Sequence, residues 1–82
     1  MQFYATVKHH SIVGFWEKFE AKNMTAAKRV ATKEYGGGYL GHVIYLVDAD
    51  NVSDELADMG YLNDLPAYTK AIGSRRWIEP LL

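Results

Sequence analysis

The chain has 82 residues, no cysteine, and a formal net charge of −1, so disulfide scaffolds, thiolate metal sites and thiol nucleophiles are excluded. At 49 % hydrophobic and 23 % charged residues it reads as one small globular domain, of a size that buries only about 60 % of the surface its unfolded form exposes. A pI near 6.3 argues against a general polyanion binder, which is usually strongly basic.

"MQFYATVKHH" has no basic start followed by a long apolar core, and no apolar run approaches the roughly 20 residues of a membrane span. The expectation is a soluble, single-domain cytosolic protein. Residues 2–7 alternate, with Phe3, Ala5 and Val7 on one side and Gln2, Tyr4 and Thr6 on the other, which predicts a half-buried strand. After the polar break "KHHS", "IVGFWEKFEA" predicts a second strand with Val13, Phe15, Phe19 and Ala21 on one face. Glu17 interrupts that alternation, so a bulge or an exposed strand end is expected there.

Asn23 is placed to cap a helix. At 100° per residue, Met24, Ala27, Val30, Ala31 and Tyr35 share one arc, and Glu34 falls inside it as a misfit. Arg29 lies opposite the arc, Thr25 and Lys33 beside it, and Lys28 on the flank. Gly36, Gly37 and Gly38 are expected to end the helix by admitting positive φ.

"YLGHVIYLVDAD" is apolar on both faces and predicts a central strand covered by the helix on one side. "NVSDELADMG" predicts a short acidic helix capped by Ser53 and closed by Gly60, with Asp54 and Glu55 favourable at its positive end. "AYTKAIGSRRWIEP" predicts a hairpin turning at Gly73-Ser74, glycine first. The fold class expected is α+β: a curled antiparallel sheet of about five strands in the order β-β-α-β-β-β on one main helix, with the acidic helix or loop between strands 3 and 4.

Enzyme signatures are weak. "YGGGYLG" follows a helix and precedes a strand, the reverse of a phosphate-cradling loop. His9 and His10 are neighbours whose side chains point to opposite sides of an extended chain, and His42 meets them only through folding. They read as surface and core-edge residues rather than a ligand set, so neither a metal nor a cofactor is expected. Ser11, Ser53 and Ser74 sit in turn or cap contexts.

Three binding-face readings remain for the cations of the helix. Lys28, Arg29 and Lys33 fit an ordinary solvated face, a phosphate-contacting face joined by Arg75-Arg76-Trp77, or a protein-docking face. Asp48, Asp50, Asp54, Glu55, Asp58 and Asp64 occupy 48–64 without a cation and oppose a polyanion, so the molecule is electrically two-sided. Tyr35, Tyr39, Tyr61 and Tyr68 flank these patches as amphipathic contacts or as edge-of-core residues.

"EAKNMTAAKRVATKE" resembles the helix of a small phage-encoded type I-F anti-CRISPR family, E-A-x-x-[polar]-x-x-A-K-R-[IV]-A-[ST]-K-E. "AYTKAIGSRRWIE" is similar to that family's closing A-Y…G-x-R-W-[IV]-[DE] hairpin, with Arg75 as an additional residue. The resemblance implies a non-catalytic inhibitor made by a phage or other mobile element, and a monomer in the host cytoplasm is expected. Its implied partner is a set of backbone subunits of a CRISPR surveillance complex, whose target DNA it blocks. The family's basic helix residues contact that complex, and by position those roles fall on Lys28, Arg29 and Lys33, with Thr25, Tyr35, Arg75 and Arg76 as the accompanying partner-binding residues. The acidic segment 48–66 is longer than the family's connection. A small phage protein that applies the same helix to nucleic-acid phosphates is the alternative.

Overall fold

A computed structural model describes residues 1–9, 12–13, 15–58, 62 and 65–80. Its elements are β1 (Gln2–His9), β2 (Ile12–Val13), β3 (Glu17–Glu20), α1 (Met24–Tyr35), β4 (Val43–Asp48), a 3-10 turn (Ala49–Asn51), α2 (Asp54–Asp58) and β5 (Tyr68–Ala71). The fold is α+β, with one antiparallel sheet whose path runs β2-β1-β4-β5 while β3 also pairs with β1. No described helix is long and apolar enough to cross a membrane.

The predicted second strand is divided. Its first part pairs Lys8 with Val13 and its second pairs Ala5 with Glu17, so the register moves by one residue between them. That is a bulge, and it re-aims the chain. Phe15 is therefore 96 % exposed instead of sharing the face of Phe19, whose ring stacks on Phe3 at 5.8 Å. The Phe15 carbonyl accepts from the buried Thr6 hydroxyl at 3.0 Å, which satisfies the one buried polar side chain among the described residues.

α1 begins where Asn23 accepts from the Ala26 amide at 2.8 Å. Ala27 and Ala31 are buried against Phe3, Ala5, Ile44 and Leu46, and their small side chains let the helix sit close on the sheet. Val30, expected in the buried arc, is 42 % exposed at its rim. The three glycines do not end the helix through positive φ. Gly36 stays right-handed at φ −66, its amide bonds to the Thr32 carbonyl, and a Cβ there would collide with that oxygen.

β4 is central, flanked by β1 and β5. The face of β1 opposite α1 is not open, as half-burial would require. There Tyr4, Ala49 and Leu62 form a second buried cluster, with Trp16, Val52, Ala57 and Leu65 packed on it. The acidic segment thus lays its few apolar residues over the sheet. The expected Gly60 closure of α2, and Tyr61, Asp64, His10 and Ser11, lie outside the described residues.

The last hairpin also departs from expectation. The Ser74 amide donates to the Ala71 carbonyl at 2.9 Å, so the turn centres on Ile72-Gly73 with glycine second, at φ +96. Ser74 Oγ then accepts from the Arg76 amide, and the ladder resumes only at the single Thr69–Ile78 bridge. Local bonding has replaced the final strand, and the strand order is β-β-β-α-β-β.

Candidate functional site

An open groove of about 460 Å³ runs between α1 and the β5 arm. Thr25, Lys28, Arg29, Thr32 and Lys33 line one wall; Lys70, Arg75 and Trp77 line the other. The helix wall follows from spacing, since residues three and four apart stand one above another. The second wall follows from pairing. Leu46 pairs with Tyr68 and Ile44 with Lys70, so Tyr68 and Lys70 rise on the face that α1 covers.

Two of the cations are held in place by uncharged partners. Lys28 Nζ sits 4.7 Å from the centre of the Tyr68 ring, an arrangement the ring's negative face favours. Lys70 Nζ donates to Thr32 Oγ1 at 3.2 Å. Arg29, Lys33 and Arg75 are exposed. Among the described residues, none of the five has a carboxylate within ion-pair distance. Their positive potential is left to the solvent. A concave wall of five cations without a counter-charge is suited to an anionic surface, and Trp77, half-buried against the main core, adds a flat apolar contact.

Five of the seven sequence-predicted site residues therefore meet in one place: Thr25, Lys28, Arg29, Lys33 and Arg75. Tyr35 does not. It faces β3, where its hydroxyl donates to Glu17 at 3.1 Å, in a separate cleft of about 250 Å³ with Val30 and Glu34. Burial first, then the Glu17 hydrogen bond and the charges of Glu17 and Glu34, push its phenol up to about 12. Arg76 is exposed and does not line the groove. Lys70 and Thr32 are site residues that the sequence reading does not name, whereas Trp77 enters it only through the phosphate-contacting alternative. Strand alternation gives the face of Lys70, but only the pairing of β5 with β4 brings it beside the helix.

Negative charge gathers beyond the opposite face of the sheet. Asp54 Oδ1 accepts from Lys18 Nζ at 3.0 Å and from the Tyr4 hydroxyl at 3.3 Å. The Lys18 hydrogen bond, ahead of its charge and of Tyr4, lowers the Asp54 pKa, and the same bond raises that of Lys18. Asp50, Glu55 and Asp58 are exposed nearby in sequence. An apolar pocket of about 310 Å³ lies at the edge between the two layers, bounded by Met24, Leu46, Val52, Leu65, Tyr68 and Pro80, with Asp48 as its charged member.

Folding does bring two histidines together. The rings of His9 and His42 stack with centroids 4.1 Å apart and planes at 23°. Among the described residues there is no group of three or more potential metal-ligating side chains. No protein-family model matches this chain, and no curated protein or solved structure matches it.

Proposed function

We propose that the protein is a non-catalytic inhibitor made by a phage or other mobile element. It binds backbone subunits of a CRISPR surveillance complex in the host cytoplasm and blocks target DNA binding. One observation carries the docking part of this reading: the carboxylate-free groove of Lys28, Arg29, Lys33, Lys70 and Arg75. The partner's identity rests on the resemblance of residues 20–34 and 67–79 to the type I-F family.

The mechanism is occupancy and repulsion, without turnover or cofactor. The groove grips acidic side chains and backbone carbonyls of the complex, where unpaired arginine and lysine gain most from being met by complementary charge. With α1 against the partner, the acidic segment is carried on the far side of the sheet. At physiological salt that charge acts over a Debye length of about 8 Å. Approaching phosphates then meet negative charge where a clear path had been.

A second reading, a small nucleic-acid-binding phage protein, is favoured by the same five cations beside Trp77. The two are separated in one experiment with purified type I-F complex, target duplex and the untagged monomeric chain. Inhibition of target binding, with no duplex shift by the chain alone, supports the inhibitor. A duplex shift with a log–log salt slope near −3 to −5, one step per neutralised phosphate, and no effect on the complex, overturns it in favour of the second reading.

A further inference from the structure

We propose that His9 and His42 form a binding site for a divalent first-row transition ion of the nickel, copper or zinc kind, separate from the basic groove. His9 ends β1 and His42 immediately precedes β4. Lys8 pairs with Val43 in the antiparallel register, so one step further sets the two histidines opposite each other. Directly opposed residues on such a pair have Cβ atoms only about 4.5–5.5 Å apart. The rings lie at 4.1 Å, nearly parallel.

That placement puts both imidazoles within reach of one ion. Metal–imidazole bonds are about 2.0–2.1 Å long, and two of them at a tetrahedral angle hold the nitrogens about 3.3 Å apart. In the stack the in-plane lone pairs of the two rings run side by side, so both rings turn about their broad terminal torsions to bring one nitrogen of each toward a shared ion. The backbone is already fixed by the sheet, so binding orders little beyond two side chains.

The ligand chemistry sets the metal class. Imidazole nitrogen suits nickel, copper and zinc, in contrast to the oxygen-seeking magnesium and calcium, and affinity rises toward copper. His9 is exposed and His42 half-buried, so water completes the coordination. The Tyr39 ring, 5.6 Å from that of His42, walls one side. A stack of two rings also has modest stability without a metal, and the test is built to separate the two.

The untagged full chain is applied to immobilised nickel and eluted with imidazole, beside H9N, H42N and H10N, each checked for folding by circular dichroism. Retention of the wild type and of H10N, with loss for H9N and H42N, is expected. Solution affinity for nickel should fall on the order of 100-fold in the last two, because the second ligand no longer acts intramolecularly. Retention of H42N equal to wild type would assign the binding to the adjacent His9-His10 and overturn the proposal; no retention of the wild type would leave a metal-free stack and overturn it too. Because a substitution can disturb the strand ends, copper is also titrated into the 15N-labelled wild type. Selective broadening of the amides of residues 8–9 and 42–43 supports the site, and broadening centred on 48–58 refutes it.

Discussion

On the helix side of the sheet, Phe3, Ala5, Ile44 and Leu46 are sealed by Ala27 and Ala31, all at 1 % exposure or less. On the other side the buried cluster is the smaller one of Tyr4, Ala49 and Leu62, under a short segment rich in carboxylates. Charge is distributed in the reverse sense. The acidic side uses Asp54 to hold Lys18 and Tyr4, so part of its charge is spent within the molecule. The basic side stands on the better-packed layer, and its cations touch a ring and a hydroxyl but no described carboxylate. Uncompensated charge on a firmly packed face is the arrangement a docking surface requires, because little is lost to reordering when the partner arrives.

The largest effect that probes this contrast is on the cores. Phe3→Ala should lower stability by about 3–5 kcal/mol, enough at about 4–8 °C per kcal/mol for a domain of this size to abolish the folded state near body temperature. Leu62→Ala should cost less, toward the lower end of the 2–5 kcal/mol range, because its cluster is smaller. Equal losses in thermal denaturation would mean the two layers are equivalent. Trp77→Ala should cost about 2–3 kcal/mol, less than a fully buried ring, since part of Trp77 already faces the groove.

Arg29→Glu sharpens the comparison from the side of charge. On the proposed docking it should leave the melting curve unchanged and weaken capture of a type I-F surveillance complex by about tenfold or more, because a glutamate would then face the partner's acidic groups. An unchanged affinity would remove the groove from the interface.

Asp54→Asn tests whether the acidic side is internally compensated. The lowered Asp54 pKa means its contribution is present above the usual carboxylate range and is lost as pH falls through the lowered value; the raised Lys18 pKa means its share is lost only as pH rises through the raised one. D54N should therefore flatten the acid limb of the stability–pH profile slightly, and added salt should erase the difference, because both groups are exposed. The smallest effect belongs to Tyr35. Its phenol, pushed up to about 12, gives stability present below the usual tyrosine range of about 10 and lost as pH rises toward 12. Tyrosinate absorbance should show a late-titrating step that Y35F removes.

What was legible in the sequence was local. The Asn23 cap, the alternation of β1 and the two-faced apolarity of β4 depend on neighbours within a few residues, and the structure carries them. The outward position of Arg29 and Lys33 follows from helix geometry alone. What escaped reading depended on distant partners. The bulge ahead of Glu17 was half-anticipated, but its consequence for Phe15 required the β1 register. The turn at Ile72-Gly73 is set by the Ile72 amide bonding the His42 carbonyl at 2.9 Å, thirty residues away in the chain. Val30 shows the limit of a helical wheel: two alanines at its centre bring the helix down so closely that the arc actually covered is narrower than the apolar arc.

β1 pairs with β2, β3 and β4 at once, and its successive side chains alternate between the two buried clusters. Such a strand is a shared spine: drawing it out strips Phe3 and Ala5 from one layer and Tyr4 from the other. Slow amide exchange at residues 3–7 and 44–47 should then share one opening free energy, equal to that of the whole molecule. A domain that opens as one body offers a protease no half-open form to cut.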